Sequence, residues 1–310
     1  MTQGVYADLE SLIALRHQSQ GFSFLPRQPI HSLLAGQKAS RLRGRGLNFE
    51  EIRNYLPGDD IRNIDWKVTA RMRAPHMRVY TEERDRPVLL VVDQRLNMFF
   101  GSQRSMKSVT AAETAALGAW RVLGVGDRVG AIVFNDTETA EVRPHRSART
   151  VMRILGAIVA QNGTLRSDGS GVSRPECLNE TLERACRLVK HDALVCIISD
   201  FDGADEHTKH LITRLGRHND ILAGLVYDPL EAELPDLGPL VVGDGELQVE
   251  VDTGNANLRK RFADIFSERL AEIRQFLLRR EIPVLPLHTG LPVPEQVRKL
   301  LGHRPLRGSR

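Results

Sequence analysis

The chain has 310 residues, 41% hydrophobic and 26% charged, which supports one large or two moderate folded domains and excludes wholesale disorder. Its 43 Lys and Arg against 39 Asp and Glu give a formal charge of +4, and the surplus lies wholly in residues 1–86, with 14 basic and 10 acidic residues; the remaining 224 are neutral. Cys177, Cys186 and Cys196 are too few and too irregularly spaced for a disulfide framework or a paired CxxC metal site, the first 20 residues lack a signal-like apolar core, and no apolar run approaches the ~20 residues of a membrane span. A cytoplasmic protein with reduced thiols and no transmembrane segment is expected.

In chain order, Leu9, Leu12 and Ile13 predict a short amphipathic helix, and Pro26 and Pro29 then break the chain, so residues 1–40 read as a helix and linker. Residues 41–86 mix charges with scattered aromatics, and Met77–Glu82 alternates like a strand; this predicts a small Arg-rich β subdomain. From residue 87 to 310, strands and helices alternate. Val88–Val92 reads as a strand buried on both faces, Lys107–Leu123 as an Ala-rich helix, Val129–Phe134 as a strand, and Thr139–Arg143 as a short edge strand. Ala148–Val159 is helical, with Val151, Ile154, Leu155 and Ile158 on one face, and Ser173 and Pro175 are expected to open another helix. Ala193–Ile198 is a third buried strand, followed by a helix from Glu206, the strand Ile221–Tyr227, a two-stranded excursion over 240–251, a long helix Asn257–Arg280, the strand Ile282–Pro286 and a last helix near Glu295–Leu301. The expected fold class is α/β, a doubly wound, mostly parallel sheet with a small N-terminal β-rich subdomain. Trp66 and Trp120 are expected as core anchors, and His191 as a structural group before a buried strand.

In such a sheet, ligands bind beyond the carboxyl ends of the strands. Asp93 ends the first strand, Asp200 follows a later one, and Thr164 lies in a polar loop between them. Asp after strand one, a Gly-Thr loop and a second Asp resemble the von Willebrand factor A fold, which implies an oxygen-rich metal-ion-dependent adhesion site holding Mg²⁺. The resemblance makes Asp93, Asn97, Thr164 and Asp200 candidate metal ligands. Arg95 and Asn97, however, stand where that fold's loop has serines. Asn97 still offers an amide oxygen, whereas Arg95 cannot ligate a cation; it must swing away or lie across the carboxylates as a built-in positive charge. The site is therefore read as degenerate.

The most distinctive block runs from Arg43 to Arg71. It contains Gly-x-Gly, Phe49-Glu-x-x-Arg53-x-Tyr55, Pro57-Gly58-Asp59-Asp60-x-Arg62, Ile64-Asp65-Trp66-Lys67 and Ala70-Arg71. Five acids and ten Lys or Arg between Lys38 and Arg78 suggest a network of fixed ion pairs more than a plain basic patch. In this order, and with Gly126-Asp-Arg-Val-Gly130 and Ser199-Asp200-Phe201 downstream, these motifs resemble the bacterial family catalogued as domain of unknown function 58. That resemblance implies a non-catalytic assembly factor working with a MoxR-type AAA+ ATPase on a client protein, the sheet-edge site meeting an acidic partner residue. Two rival readings rest on the same block. Pro57-Gly-Asp59-Asp60 with Asp65-Trp66-Lys67 resembles a compressed Mg²⁺-dependent nuclease motif, and the arginines alone would suit nucleic-acid phosphates. The nuclease motif's gap is very short and the acids are interleaved, so no direct nucleic-acid partner is expected. No Gly-x-Ser-x-Gly elbow, phosphate-binding Gly-Lys-Ser/Thr loop or His-Glu-x-x-His motif is present, and no enzymatic activity is expected.

Overall fold

The structure, a computed structural model, describes residues 4–20, 47–55, 61, 64–72, 74–82, 86–166, 173–232, 234–236, 238–243, 248–278, 280 and 282–301. The chain divides into two compact units, Met1–Ile30 with Arg86–Arg310, and His31–Asp85. Helix α1 (Leu9–Ala14) is capped by Asp8, whose side chain accepts from Ser11 N at 2.8 Å. Leu12 and Leu15 of this opening segment are buried in the core of the larger unit, and the Trp120 indole donates to Leu12 O at 3.1 Å.

The smaller unit pairs β1 (Leu47–Asn54) antiparallel with β2 (His76–Glu82), with α2 (Trp66–Met72) in the connection. Asp65 N donates to His76 O at 2.8 Å, so the start of α2 is tied to the start of β2. Here the expectation for Trp66 fails: it is 70% exposed, whereas Trp120 is 4%. A seven-residue helix with no buried residue cannot form the second layer that would enclose an indole. Pro57, Gly58, Asp59, Asp60 and Arg62 lie outside the described residues.

In the larger unit, β3 (Val88–Asp93) is buried along its whole length. It is followed by α3 (Lys107–Gly124), β4 (Val129–Phe134), β5 (Thr139–His145), α4 (Ala148–Asn162), α5 (Cys177–Leu188), β6 (Leu194–Ser199), α6 (Glu206–Gly216), β7 (Asp220–Tyr227), the short α7 (Pro229–Ala232), the antiparallel pair β8 (Pro239–Gly243) and β9 (Gln248–Asp252), α8 (Ala256–Leu278), β10 (Val284–His288) and α9 (Val293–Leu301). The six-stranded sheet has the order β10-β7-β6-β3-β4-β5, parallel except for the antiparallel edge strand β5.

The alternation of side chains along β3 builds two layers. Val88, Leu90 and Val92 face one core with Leu12, Leu117, Trp120, Ile154 and Val297. Leu89 and Val91 face the other, with Leu178, Leu182, Leu211 and Leu277. Because both faces are covered by helices, β3 and β6 are continuous apolar runs without a polar side. The doubly wound α/β class expected from the alternation is thus realised. Two local expectations are corrected. Helix α5 starts at Cys177 with Glu176 as its N-cap and no side-chain cap bond, so Ser173 does not cap it. His191 lies exposed beside Asp192 Oδ2 at 3.0 Å, in the turn before β6, where the chain runs over the surface.

Candidate functional site

After β3 the chain lays β4 and β5 to one side, then crosses back to place β6, β7 and β10 on the other. The reversal falls between β3 and β6, and Asp93 and Asp200 emerge there side by side. This is the switch-point crevice of a doubly wound sheet.

Asp93 is fully buried and is held from three directions. Ser199 Oγ donates to its Oδ2 at 2.6 Å, and Arg95 N to its Oδ1 at 3.0 Å. The Arg95 guanidinium folds back over the same carboxylate, with Nε 3.0 Å from Oδ1 and Nη2 2.7 Å from Oδ2. Arg95 is 1% exposed; its remaining donors reach Pro175 O and Asp202 O, each at 3.1 Å, and its cation lies 5.7 Å from the Phe134 ring centroid. Burial acts to lower the guanidinium's proton affinity, but Asp93 outweighs it and raises that affinity further above an already high value. Of the two postures open to Arg95, it adopts the one across a carboxylate, and the fork geometry matches Asp93 alone.

Asp200 has a different cation. Lys107 Nζ lies 2.9 Å from its Oδ2 and 2.6 Å from Glu231 Oε1. Burial would raise the Asp200 carboxyl, but the ammonium prevails and holds it below the usual carboxylate range; the same two acids raise Lys107 above its ordinary value. Lys107 is the first residue of α3, where the helix dipole disfavours a cation, and Met106 supplies no side-chain cap. Only the flanking carboxylates make a buried ammonium tolerable there. Asn97 turns its amide nitrogen toward Asp200, 2.8 and 2.9 Å from the two oxygens. Facing a carboxylate, the amide must present N–H and not oxygen.

The loop after β6 supports this arrangement through unusual backbone. Phe201 is buried with φ 55°, a left-handed conformation that is strained for a bulky residue, and its N–H reaches Ser199 Oγ at 2.9 Å. That turn aims Asp202 N at Asp200 Oδ1, 2.9 Å away, and Asp202 O at Arg95. Gly203 completes it at φ 73°, where a Cβ would lie 2.3 Å from Pro175 Cβ. On the other side, Gln94 is fully buried, donates to Asp93 O and Ser108 O at 3.0 Å, and accepts from Asn162 at 2.8 Å. Asp136 receives Leu96 N at 2.6 Å and Arg174 N at 2.7 Å.

The structure therefore gathers Asp93, Arg95, Asn97 and Asp200, as the sequence suggests, and adds Lys107, Ser199, Gln94, Asp136 and Glu231. Thr164 is engaged elsewhere: its hydroxyl donates to Gln161 O at 2.7 Å and accepts from Asn135 at 3.3 Å. Lys107 left one readable signal, a lysine opening an Ala-rich helix in a chain whose basic residues are almost all arginine. Glu231 left none, because its approach depends on the packing of α7.

A divalent cation does not fit this donor set. Both Asp93 oxygens are taken by Arg95, Asp200 is engaged by Lys107 and an amide N–H, and two fixed positive charges already lie where a Mg²⁺ would gather its oxygens. Among the described residues, no group of three or more His, Cys, Asp or Glu is arranged to hold a metal ion. The expectation of Mg²⁺ on Asp93, Asn97, Thr164 and Asp200 meets Arg95 and Lys107 in its place.

Of the signature block, Arg53 lies on β1 opposite Met77, and Tyr55 N donates to Pro75 O at 2.8 Å. Asp65 is buried and accepts from Lys67 N at 3.0 Å and Val68 N at 3.2 Å, capping α2, while Arg71 sits in that helix's last turn. The residue most needed by a nuclease reading is thus engaged in ordering its own helix.

The chain is 30% identical over 268 residues to uncharacterized proteins of Mycobacterium tuberculosis and Mycobacterium bovis, covering 85% of this chain and 81% of each relative. Three solved structures resemble it more distantly. The conserved hypothetical protein BatB from Bacteroides thetaiotaomicron has a TM-score of 0.36 at 12% identity, covering 63% of this chain and 98% of that one. An aerotolerance-related membrane protein from Bacteroides fragilis gives 0.42 at 11%, with 70% and 96% covered, and the SpRpn10 VWA domain 0.40 at 10%, with 70% and 95%. The sheet order is what establishes the fold here. The family model described as protein of unknown function DUF58 matches residues 51–272, more than half of the chain. The chain belongs to the DUF58 family.

Proposed function

We propose that this chain is a non-catalytic interaction and assembly factor of the cytoplasm, acting with a MoxR-type AAA+ ATPase on a client protein. The observation that carries this reading is the closure of both switch-point carboxylates by cations of the same chain, Asp93 by Arg95 and Asp200 by Lys107. A general acid or base needs a carboxyl poised to exchange a proton with a substrate, and a carboxylate clamped by a guanidinium or an ammonium is poorly suited to that task. The same closure makes the loops a pre-organised, rigid surface, which favours recognition. Among the described residues, no helix is long and apolar enough to cross a membrane.

The test is co-purification of the full chain with a MoxR-type ATPase from the same organism, with and without nucleotide. Retention of the ATPase at micromolar concentration is expected; no retention in either state sinks the reading. A calorimetric titration with Mg²⁺ is expected to give no binding heat, and a saturable site would reverse the account of Arg95 and Lys107.

A further inference from the structure

The amino end of the same sheet carries a second concave surface, a groove of about 690 Å³. Arg128, Arg143, His145, Arg187, Lys190 and His191 line it, converging from the start of β4, the end of β5, the end of α5 and the turn before β6. Its lining includes no carboxylate. Asp192 lies beside the rim at 3.0 Å from His191, while Arg143 and Arg187 are only weakly neutralised: Glu141 lies 3.7 Å from Arg143 and Glu183 3.8 Å from Arg187, with the two arginine side chains 80% and 67% exposed. The carboxyl end of α5 accounts for cations at Arg187 and Lys190, since they complement its dipole. It does not account for Arg143, which is delivered by β5.

We propose that this groove binds an acidic segment of a partner protein, whose carboxylates pair with Arg143, Arg187 and Lys190. Guanidinium forks suit carboxylates bidentately, and Pro87, Pro144, Val189 and Ala193 supply short apolar contacts between the charged positions. Pro144 removes a backbone donor near the end of β5, so recognition falls to side chains and not to an added strand. The lining contains no aromatic ring, so single-stranded nucleic acid would find phosphate partners but no stacking surface. The site is separate from the carboxyl-end loops and does not depend on their function.

The experiment titrates the full chain with a fluorescent peptide of alternating Glu and Ser, beside a Lys-Ser peptide, an oligothymidylate and inorganic phosphate. Binding of the acidic peptide that weakens with added salt is expected. The combined variant Arg143→Glu, Arg187→Glu, Lys190→Glu should weaken it by roughly tenfold or more, with an unchanged thermal unfolding curve because all three side chains are exposed. The proposal is overturned if the wild-type chain does not bind the peptide, if charge reversal leaves binding unchanged, or if oligothymidylate or phosphate binds as tightly.

Discussion

At the carboxyl end of the sheet, Arg95 and Lys107 are almost wholly buried, and each lies within 2.9 Å of a carboxylate. At the amino end, Arg143 and Arg187 stand in solvent, and their nearest acids are 3.7 and 3.8 Å away. Burial explains the difference. A charge removed from water must be paired with good geometry or it destabilises the fold, whereas a charge in water is screened and its pairing is optional. The carboxyl end is therefore a fixed structure, and the exposed arginines of the amino end are only loosely held by acids of the same chain.

Several changes would break or sharpen this contrast. Lys107→Met leaves Asp200 buried against Glu231 without a cation and should destabilise the chain by about 3–5 kcal/mol, measured by denaturant unfolding. A loss within that of an ordinary surface mutation would show the carboxyl end to be as loose as the amino end. Gly203→Ala forces a Cβ into Pro175 and a side chain into the left-handed region, and should cost about 1–3 kcal/mol. Because Pro175 O holds Arg95, that variant also disturbs the clamp on Asp93.

The pH profile probes the carboxyl end without mutation. Asp200 has a depressed folded pKa, so its contribution is complete above its ordinary value of 3.8 and is lost as pH falls through the folded value. Lys107 has a raised one, so its contribution is complete below 10.5 and is lost as pH rises through the folded value. A plateau of stability across neutral pH with losses at both extremes is expected in thermal melts; a steep slope near neutrality would contradict the assignment.

Smaller effects follow elsewhere. Asp205 caps α6 in a reciprocal box with Thr208, and its carboxyl is drawn down to about 2, chiefly by the Thr208 N–H. Asp205→Ala should lower stability by about 1 kcal/mol in the same unfolding assay. Last, Arg143→Ala at the amino end should change it by no more than about 0.5 kcal/mol. A larger loss would mean that the groove's charges hold the fold together.

The charge balance of the primary structure hid this polarity. Residues 87–310 are neutral in sum, yet that neutrality divides into closed pairs at one end of the sheet and a carboxylate-free groove at the other. Sequence spacing could not reveal the groove, since Arg128, Arg143, Arg187 and Lys190 come from three separate chain segments. Asp93 and Asp200 were legible because each ends an apolar strand run, a purely local pattern. Arg95 was legible as an anomaly within that pattern. Lys107 and Glu231 lie far from Asp200 along the chain, and no local rule links them to it.

The sequence by itself determined the succession of strands and helices, the burial of β3 and β6 and the acidic residues that close them, because periodicity and strand-end position are local properties. Tertiary structure alone decided which cation faces which carboxylate, that Trp66 stays exposed while Trp120 is enclosed, and that basic residues from three separate chain segments share one groove. Those outcomes depend on how layers stack, and the energy of a charge or an indole is set by what surrounds it in space.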